Sequence, residues 1–320
     1  MRSAVILLST HNGERFLPGQ LDSIVAQSWV HWRLIIRDDA STDRTTEILT
    51  EFSDRDPRIE LRLENERLGP ARSFGRLLET CPSADFYFWC DQDDVWPRDR
   101  LERMTGAFEK LQADAGLSAP ALLHSDLRLI DSDGHRIEDS LHRQFGVRHV
   151  AKDPLGCLIP QNFVFGCASM FNDALRSVAC PVPREAISHD WWLALTAGAL
   201  GRIHYMGESL IDYRRHSGNV SQLGRMTQSS DVASIRKTDG SIRRRLVRRF
   251  EQSVALQARL AERAPDCEAL DRLRDWNEAW ARGGFPAVRA ARRHRIRLQR
   301  FLRTSFFLLQ LLLCRPPGSG

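Results

Sequence analysis

The chain has 320 residues, 42% of them apolar and 27% charged, with a formal net charge of +5 at pH 7. That length and balance suit one large α/β domain with an appendage, and exclude a fold that leans on disulfides for want of a core. The seven scattered cysteines form no C-x-x-C pair, which argues against a zinc site and for reduced thiols in a cytosolic setting.

The apolar run at residues 4–8 is too short for a signal-peptide core and reads as a buried first strand. Residues 15–28 follow with Leu17, Leu21, Ile24 and Val25 at helical spacing. Strands are predicted at 34–36, 59–63 and 86–89, and helices at 43–52 and 69–81, the former capped by Ser41 or Asp43. This β-α-β-α-β-α-β order predicts a Rossmann-like α/β fold with a mainly parallel sheet and flanking helices. Ligands of such sheets sit at the carboxyl ends of the strands, where the polar clusters at 10–14, 38–43 and 91–94 all fall. Residues 122–130, 163–171, 202–206 and 210–214 read as further strands, and 191–199 as a helix. Residues 224–241 are polar and rich in Ser, Thr and Gly, and are expected to form a linker. From residue 242 the pattern is helical and Arg-rich, broken at Pro265 and at Gly283-Gly284. The expected organisation is a large α/β domain over 1–223 and a basic helical extension over 242–320.

Asp91, Asp93 and Asp94 place three carboxylates in four residues directly after an apolar strand. Their mutual repulsion is relieved by a dication; Mg²⁺ or Mn²⁺ suits carboxylates combined with substrate phosphate oxygens. The plainer alternative is an acidic cap on the helix that starts near Pro97. Asp38, the member of its cluster least explained by capping, suits a nucleobase imide or a ribose hydroxyl, while Thr10 and Asn12 offer hydroxyl and amide groups at the first strand end. Ser188-His189-Asp190-Trp191-Trp192 sets a carboxylate at a helix start beside two indoles. A sugar face can stack on such rings while the carboxylate takes a proton from an acceptor hydroxyl; core packing of the tryptophans competes with that reading. His216 follows a short strand among arginines and could bind metal or pyrophosphate.

Taken together, these motifs resemble family 2 glycosyltransferases of the GT-A fold, especially bacterial rhamnosyltransferase-like members. The segments that carry the resemblance are Leu8-Ser9-Thr10-His11-Asn12-Gly13, Arg37-Asp38-Asp39-Ala40-Ser41-Thr42-Asp43, Asn65-Glu66-Arg67-Leu68-Gly69, Trp89-Cys90-Asp91-Gln92-Asp93-Asp94-Val95-Trp96, Ser188-His189-Asp190-Trp191-Trp192 and Tyr213-Arg214-Arg215-His216-Ser217-Gly218-Asn219. They occur in family order across residues 4–220. The resemblance implies inverting, metal-dependent transfer of a sugar from a nucleotide-diphosphate donor, with dTDP-rhamnose the first expectation. It implies that Asp93 and Asp91 hold Mg²⁺ or Mn²⁺, with His216 as a further ligand. Thr10, Asn12, Glu14, Asp38, Arg67 and Asp91 are then expected around the nucleotide and Asp190 as the catalytic base. Asp94, Asn162, Gly166, Trp191 and Trp192 are expected on the sugar and acceptor side. His11 departs from the family, which commonly has Tyr there.

The net charge conceals an asymmetry: residues 1–240 hold 28 Lys/Arg against 34 Asp/Glu, whereas residues 241–320 hold 18 against 7. Seven arginines between 289 and 303 precede an apolar run, residues 306–313, far below the roughly 20 residues that span a bilayer. This pattern predicts a helix lying on an anionic membrane surface, or one packed on the catalytic domain or on a second subunit of a homo-oligomer. A lipid-linked acceptor for cell-surface polysaccharide synthesis would favour the membrane, at its cytoplasmic face. Two rivals are weaker. A sugar nucleotidyltransferase would need a Gly-rich triphosphate loop where only Gly13 stands, and a nucleic-acid-binding protein would need a reading motif that the basic tail lacks, so no nucleic-acid partner is expected.

Overall fold

The structure, a computed structural model, describes residues 2–115, 119–219 and 239–313. The first four strands form a parallel run whose three inner members, at residues 4–10, 32–39 and 86–90, are buried almost throughout, as a sheet covered on each side requires. They are β1 (Ala4–Thr10), β2 (Trp32–Asp39), β3 (Ile59–Glu64) and β4 (Phe86–Cys90), joined by α1 (Leu17–Val25), α2 (Thr45–Arg55) and α3 (Pro70–Thr80). After α4 (Arg100–Ala115) come β5 (Ala121–Ile130), β6 (Arg136–Glu138), α5 (Leu141–Phe145), α6 (Pro154–Leu158), β7 (Ser169–Asn172), α7 (Asp173–Ala179), α8 (His189–Leu200) and β8 (Arg202–Arg214).

The sheet runs β3-β2-β1-β4-β7-β5-β6, with β8 also paired to β5. The pairs β1–β2, β1–β4, β2–β3 and β5–β8 are parallel, and β7 is antiparallel to both its neighbours. Thr10 pairs with Asp38, and Leu8 with Cys90, so the ends of β1, β2 and β4 open at one edge. Side chains alternate between two cores. Ile6, Leu8, Ile36 and Phe88 pack with α1 and α4 through Leu17, Leu21, Met104 and Phe108. Val5, Leu7, Ile35, Trp89 and Phe171 pack on the opposite face with α3 and α8.

That second core continues into four C-terminal helices, Asp239–Arg263, Glu268–Arg282, Gly284–Arg293 and Phe301–Leu313. Leu256, Trp276, Trp280 and Phe307 join it and are almost wholly buried. The basic extension is therefore docked on the face of the sheet that α3 and α8 cover. Its breaks fall at Pro265 and Gly283-Gly284 as the sequence predicts, with a further one at residues 294–300, and its first helix begins at Asp239, three residues before the expected start. The rest of the expected 224–241 linker lies outside the described residues.

Two strand expectations need correction. The stretch 163–171 is a strand only from Ser169; before it lie an irregular segment and a 3-10 turn, Gly166–Ala168, because Asn162 bonds the backbone of Val164 and diverts the chain from the ladder. The segments 202–206 and 210–214 form one long strand, β8, whose register with β5 shifts between Ser125 and Arg128.

Candidate active site

The open edge of the sheet is stitched by its own polar side chains. Thr10 Oγ1 donates to Asp38 Oδ1 at 2.7 Å, and Ser41 donates to the same carboxylate through its hydroxyl at 2.6 Å and its amide at 2.8 Å. Thr10 and Asp38 are thus buried and fixed at the strand ends. Asn12 Oδ1 accepts from the Thr42 amide and Glu14 Oε2 from the Arg44 amide, so both exposed residues tie the loop after β1 to the loop after β2. Asp39 is held by Arg37 and by the amides of Leu68 and Gly69. Burial pushes its carboxyl up, but those donors outweigh it and leave it below the ordinary range. Gly69, at φ +77, makes the turn that presents its amide and starts α3. Arg67 stands exposed just before that turn.

The four residues after β4 divide their work. Gln92 accepts from the His11 amide at 2.8 Å and donates to the His11 carbonyl at 3.1 Å, pinning this turn to the end of β1. A Cβ at Gly13 would sit 2.6 Å from Gln92 Oε1, so glycine is what admits this clasp. Asp93 Oδ2 lies 2.8 Å from His216 Nε2 and accepts from Asn219 Nδ2 at 3.2 Å. Asp94, expected at the sugar, is instead fully buried: its Oδ1 accepts the Arg214 amide at 3.1 Å, and its Oδ2 is buried without a hydrogen-bond partner. The cause is a two-residue pairing of Val95 with Asp212, which folds the turn against β8 and draws Asp94 inward.

Asp91 stands between these groups. Burial first, then the charges of Asp93 and Asp190, push its carboxyl up to about 7. Burial, with Asp93 and Asp91 next, likewise holds Asp94 well above the usual range. Side-chain atoms of Asp91, Asp94 and Cys167 lie within 4.8 Å of one another, whereas Asp93 is drawn off toward His216. Carboxylates that resist ionisation together, one with an orphaned oxygen, fit a divalent cation.

Opposite lies Asp190, in the first turn of α8. Its Oδ2 accepts from Asn162 Nδ2 at 3.2 Å and its Oδ1 from the Trp191 amide at 2.8 Å. Gly166 backs it: a Cβ there would meet the Asp190 Cβ at 3.0 Å and His189 Nε2 at 3.3 Å. His189 is wedged between the Phe74 and Trp89 rings, at centroid distances of 4.1 and 4.6 Å, and burial lowers its pKa to about 4. The two tryptophans expected at the acceptor are corrected to core residues. Both are buried, with Trp191 donating to the Leu158 carbonyl and Trp192 to the Ala179 carbonyl. Their flat apolar bulk anchors the helix that carries Asp190.

Sequence reasoning passed over Gln92, Arg214 and Asn219. Arg214 donates to the carbonyls of Asp93, Asp131 and Ser132 and lies over the Phe16 ring, fixing the turn from below. Gln92 lies within the acidic run and carries no charge of its own; the other two reach the site only when β8 closes against the turn after β4.

The sequence profile of Glycosyl transferase family 2 matches residues 5–175. TuaG of Bacillus subtilis (strain 168), assigned to teichuronic acid biosynthesis as a glycosyltransferase, is 24% identical over 218 residues, covering 68% of this chain and 80% of its own. The dTDP-rhamnosyl transferase RfbG of Shigella flexneri is 35% identical over 99 residues, 30% of this chain and 34% of that protein. The UDP-Glc:alpha-D-GlcNAc-diphosphoundecaprenol beta-1,3-glucosyltransferase WfgD of Escherichia coli is 31% identical over 97 residues, 30% of this chain and 37% of its own. Among solved structures, the mannosyltransferase PcManGT of Pyrobaculum calidifontis, in complex with GDP-Man and Mn²⁺, superposes with a TM-score of 0.56 at 18% identity, covering 98% of this chain and 85% of that one. S. aureus TarS 1-349 with UDP-GlcNAc gives 0.54 at 13%, covering 87% and 72%. The fold likeness and the family match agree: this chain belongs to glycosyl transferase family 2 and is a glycosyltransferase of the GT-A fold.

Proposed function

We propose that the chain transfers a sugar, with inversion at the anomeric carbon, from a nucleotide-diphosphate donor to a hydroxyl of a glycan or lipid-linked acceptor at the cytoplasmic face of the membrane. The observation that carries this reading is the Asp190 carboxylate, oriented by Asn162 and facing the acidic turn at Asp91 closely enough to raise its pKa. In it, Asp190 takes the proton of the acceptor hydroxyl as that oxygen attacks the anomeric carbon from the side opposite the departing diphosphate. The strand ends carrying Thr10 and Asp38 cradle the nucleoside, with Arg67 at the rim. Asp91 and Asp93 would hold Mg²⁺ or Mn²⁺, with His216 beside them and Asp94 supporting from below. The bound cation would supply compensation for the negative charge of the leaving diphosphate. Residues 1–223 would form the transferring unit, and 242–320 its basic appendage.

Rhamnose from dTDP-rhamnose is the first donor to test, since RfbG bears that activity in its name. WfgD, by its name, acts on a sugar carried on diphosphoundecaprenol, which favours a lipid-linked acceptor here too. A panel of nucleotide sugars, scored for thermal stabilisation and hydrolysis with Mn²⁺ or Mg²⁺, tests the reading. One donor should respond, and only with the metal; silence across the panel contradicts it.

A further inference from the structure

Beside the acceptor segment lies a cavity of about 760 Å³ that the site described above does not use. Its wall includes His142, Arg143, Arg148, His149 and Tyr205. Tyr205 lies nearly parallel to both histidine rings, at 4.9 Å and 10° from His142 and at 5.6 Å and 16° from His149. The phenol bonds Asp126, whose carboxylate also accepts from Ser140 Oγ and from the His142 amide. His142 is 95% buried, and its Nε2 has no hydrogen-bond partner among the described residues. That nitrogen is itself buried, so the groups a ligand can meet are the exposed ones of the wall.

The charges point to the ligand's sign. Arg128 and Arg136, also on the wall, are neutralised by Asp212 and Asp139. Arg143 and Arg148 are exposed and form no ion pair among the described residues. Two uncompensated guanidinium groups, each a planar fork of donors, suit a phosphate or diphosphate. The cavity adjoins the chemistry, because Phe163 and Phe165 touch its histidines while their neighbour Asn162 holds Asp190.

A second observation concerns where such a phosphate would come from. The cavity rim is bonded to the segment leading into the helix Phe301–Leu313: the Arg148 amide donates to Gln299 at 3.1 Å, and Arg300 donates to the Phe145 carbonyl at 3.1 Å. That helix buries Phe307 and Leu311 in the core but leaves Phe301 83%, Leu302 80% and Leu313 75% exposed. These residues, with Leu309 and Leu312, share one face at helical spacing, behind exposed Arg292, Arg295 and Arg297. An apolar stripe beside bare arginines complements an anionic lipid surface.

Building on the proposed transfer to a lipid-linked acceptor, we propose that this cavity receives the phosphate of that lipid, with the exposed face of the helix Phe301–Leu313 seated in the bilayer beside it. The acceptor sugar then reaches Asp190 past Phe165 while its phosphate stays with Arg143 and Arg148.

Calorimetric titration of the full chain in EDTA with farnesyl diphosphate, farnesol and inorganic pyrophosphate tests this. Farnesyl diphosphate should bind at least tenfold tighter than either probe. The exposed pair Arg143→Ala and Arg148→Ala together should weaken it tenfold. Pyrophosphate binding as tightly would make this a free-anion site and overturn the lipid assignment. Full retention of binding in the arginine variant would place the diphosphate elsewhere and overturn it as well. Phosphatidylglycerol vesicles should retain the wild-type chain, and Phe301→Ser with Leu302→Ser should cut the bound fraction severalfold; equal retention would overturn the bilayer contact. Metal-dependent stabilisation by donor, measured on the arginine variant, should persist. Its absence from the wild type as well would strike the glycosyltransfer reading and not the phosphate site.

Discussion

Asn162 and Asp190 are joined by a 3.2 Å hydrogen bond from amide to carboxylate, although 28 residues separate them in sequence. Both of the other Asn162 hydrogen bonds go to the backbone of Val164, so the amide is fixed before it reaches Asp190. Asn162→Ala frees the carboxylate to rotate. Transfer should fall about tenfold, the order expected when an oriented base loses its support, while nucleotide affinity stays unchanged. Steady-state kinetics beside nucleotide titration separates the two. An equal fall in nucleotide affinity would count against this positioning role.

Asp93 and His216 form the second such pair, at 2.8 Å. Removing the imidazole by His216→Ala should raise the Mn²⁺ concentration for half-maximal donor-dependent stabilisation by about tenfold, within the range for a lost ligand-supporting group. An unchanged Mn²⁺ requirement would remove His216 from the metal site.

Gln92 clasps the His11 backbone with two hydrogen bonds. Each is worth about 1 kcal/mol net, so Gln92→Ala should lower stability measurably in urea denaturation and loosen the nucleotide loop, raising the donor KM severalfold. A variant with wild-type stability and donor KM would show the clasp to be idle.

The histidine cluster predicts a pH dependence of stability. Burial, followed by the proximity of His204 and His142, lowers the pKa of His149 to about 4 from its ordinary 6.5, and burial likewise holds His124 well below that ordinary value. Between those limits the unfolded chain binds more protons than the folded one. The histidine contribution to stability is therefore intact above pH 6.5 and falls as pH drops toward 4. Urea midpoints at pH 7 and pH 4.5 should show this loss, and His149→Gln should shrink it. An identical slope in the variant would assign the acid sensitivity elsewhere.

Much of this was legible in the residues. β1, β2 and β4 announce themselves as short apolar runs ending in Thr10, Asp38 and Asp91, and strand-end chemistry follows from parallel topology alone. The tryptophans misled because an indole beside a carboxylate has the same appearance in sequence whether it stacks on a sugar or fills a core; Trp192 is settled by its bond to the Ala179 carbonyl. The inward turn of Asp94 has no local signature, because it depends on Val95 pairing with Asp212, more than a hundred residues away. The cavity around Tyr205 has no local signature either. Its histidines, at 142 and 149, meet Tyr205 only when α5, the loop after it and β8 fold together.

The central claim is that proton abstraction belongs to Asp190 and donor binding to the turn around Asp91. Its most direct test is Asp190→Asn, assayed for transfer and for nucleotide affinity with Mn²⁺ present. Loss of a general base typically costs about 10²–10⁴-fold in rate, so transfer should fall by at least a hundredfold while nucleotide Kd stays within about twofold. A variant that still transfers at the wild-type rate, or one that loses nucleotide binding as fully as activity, would contradict the account.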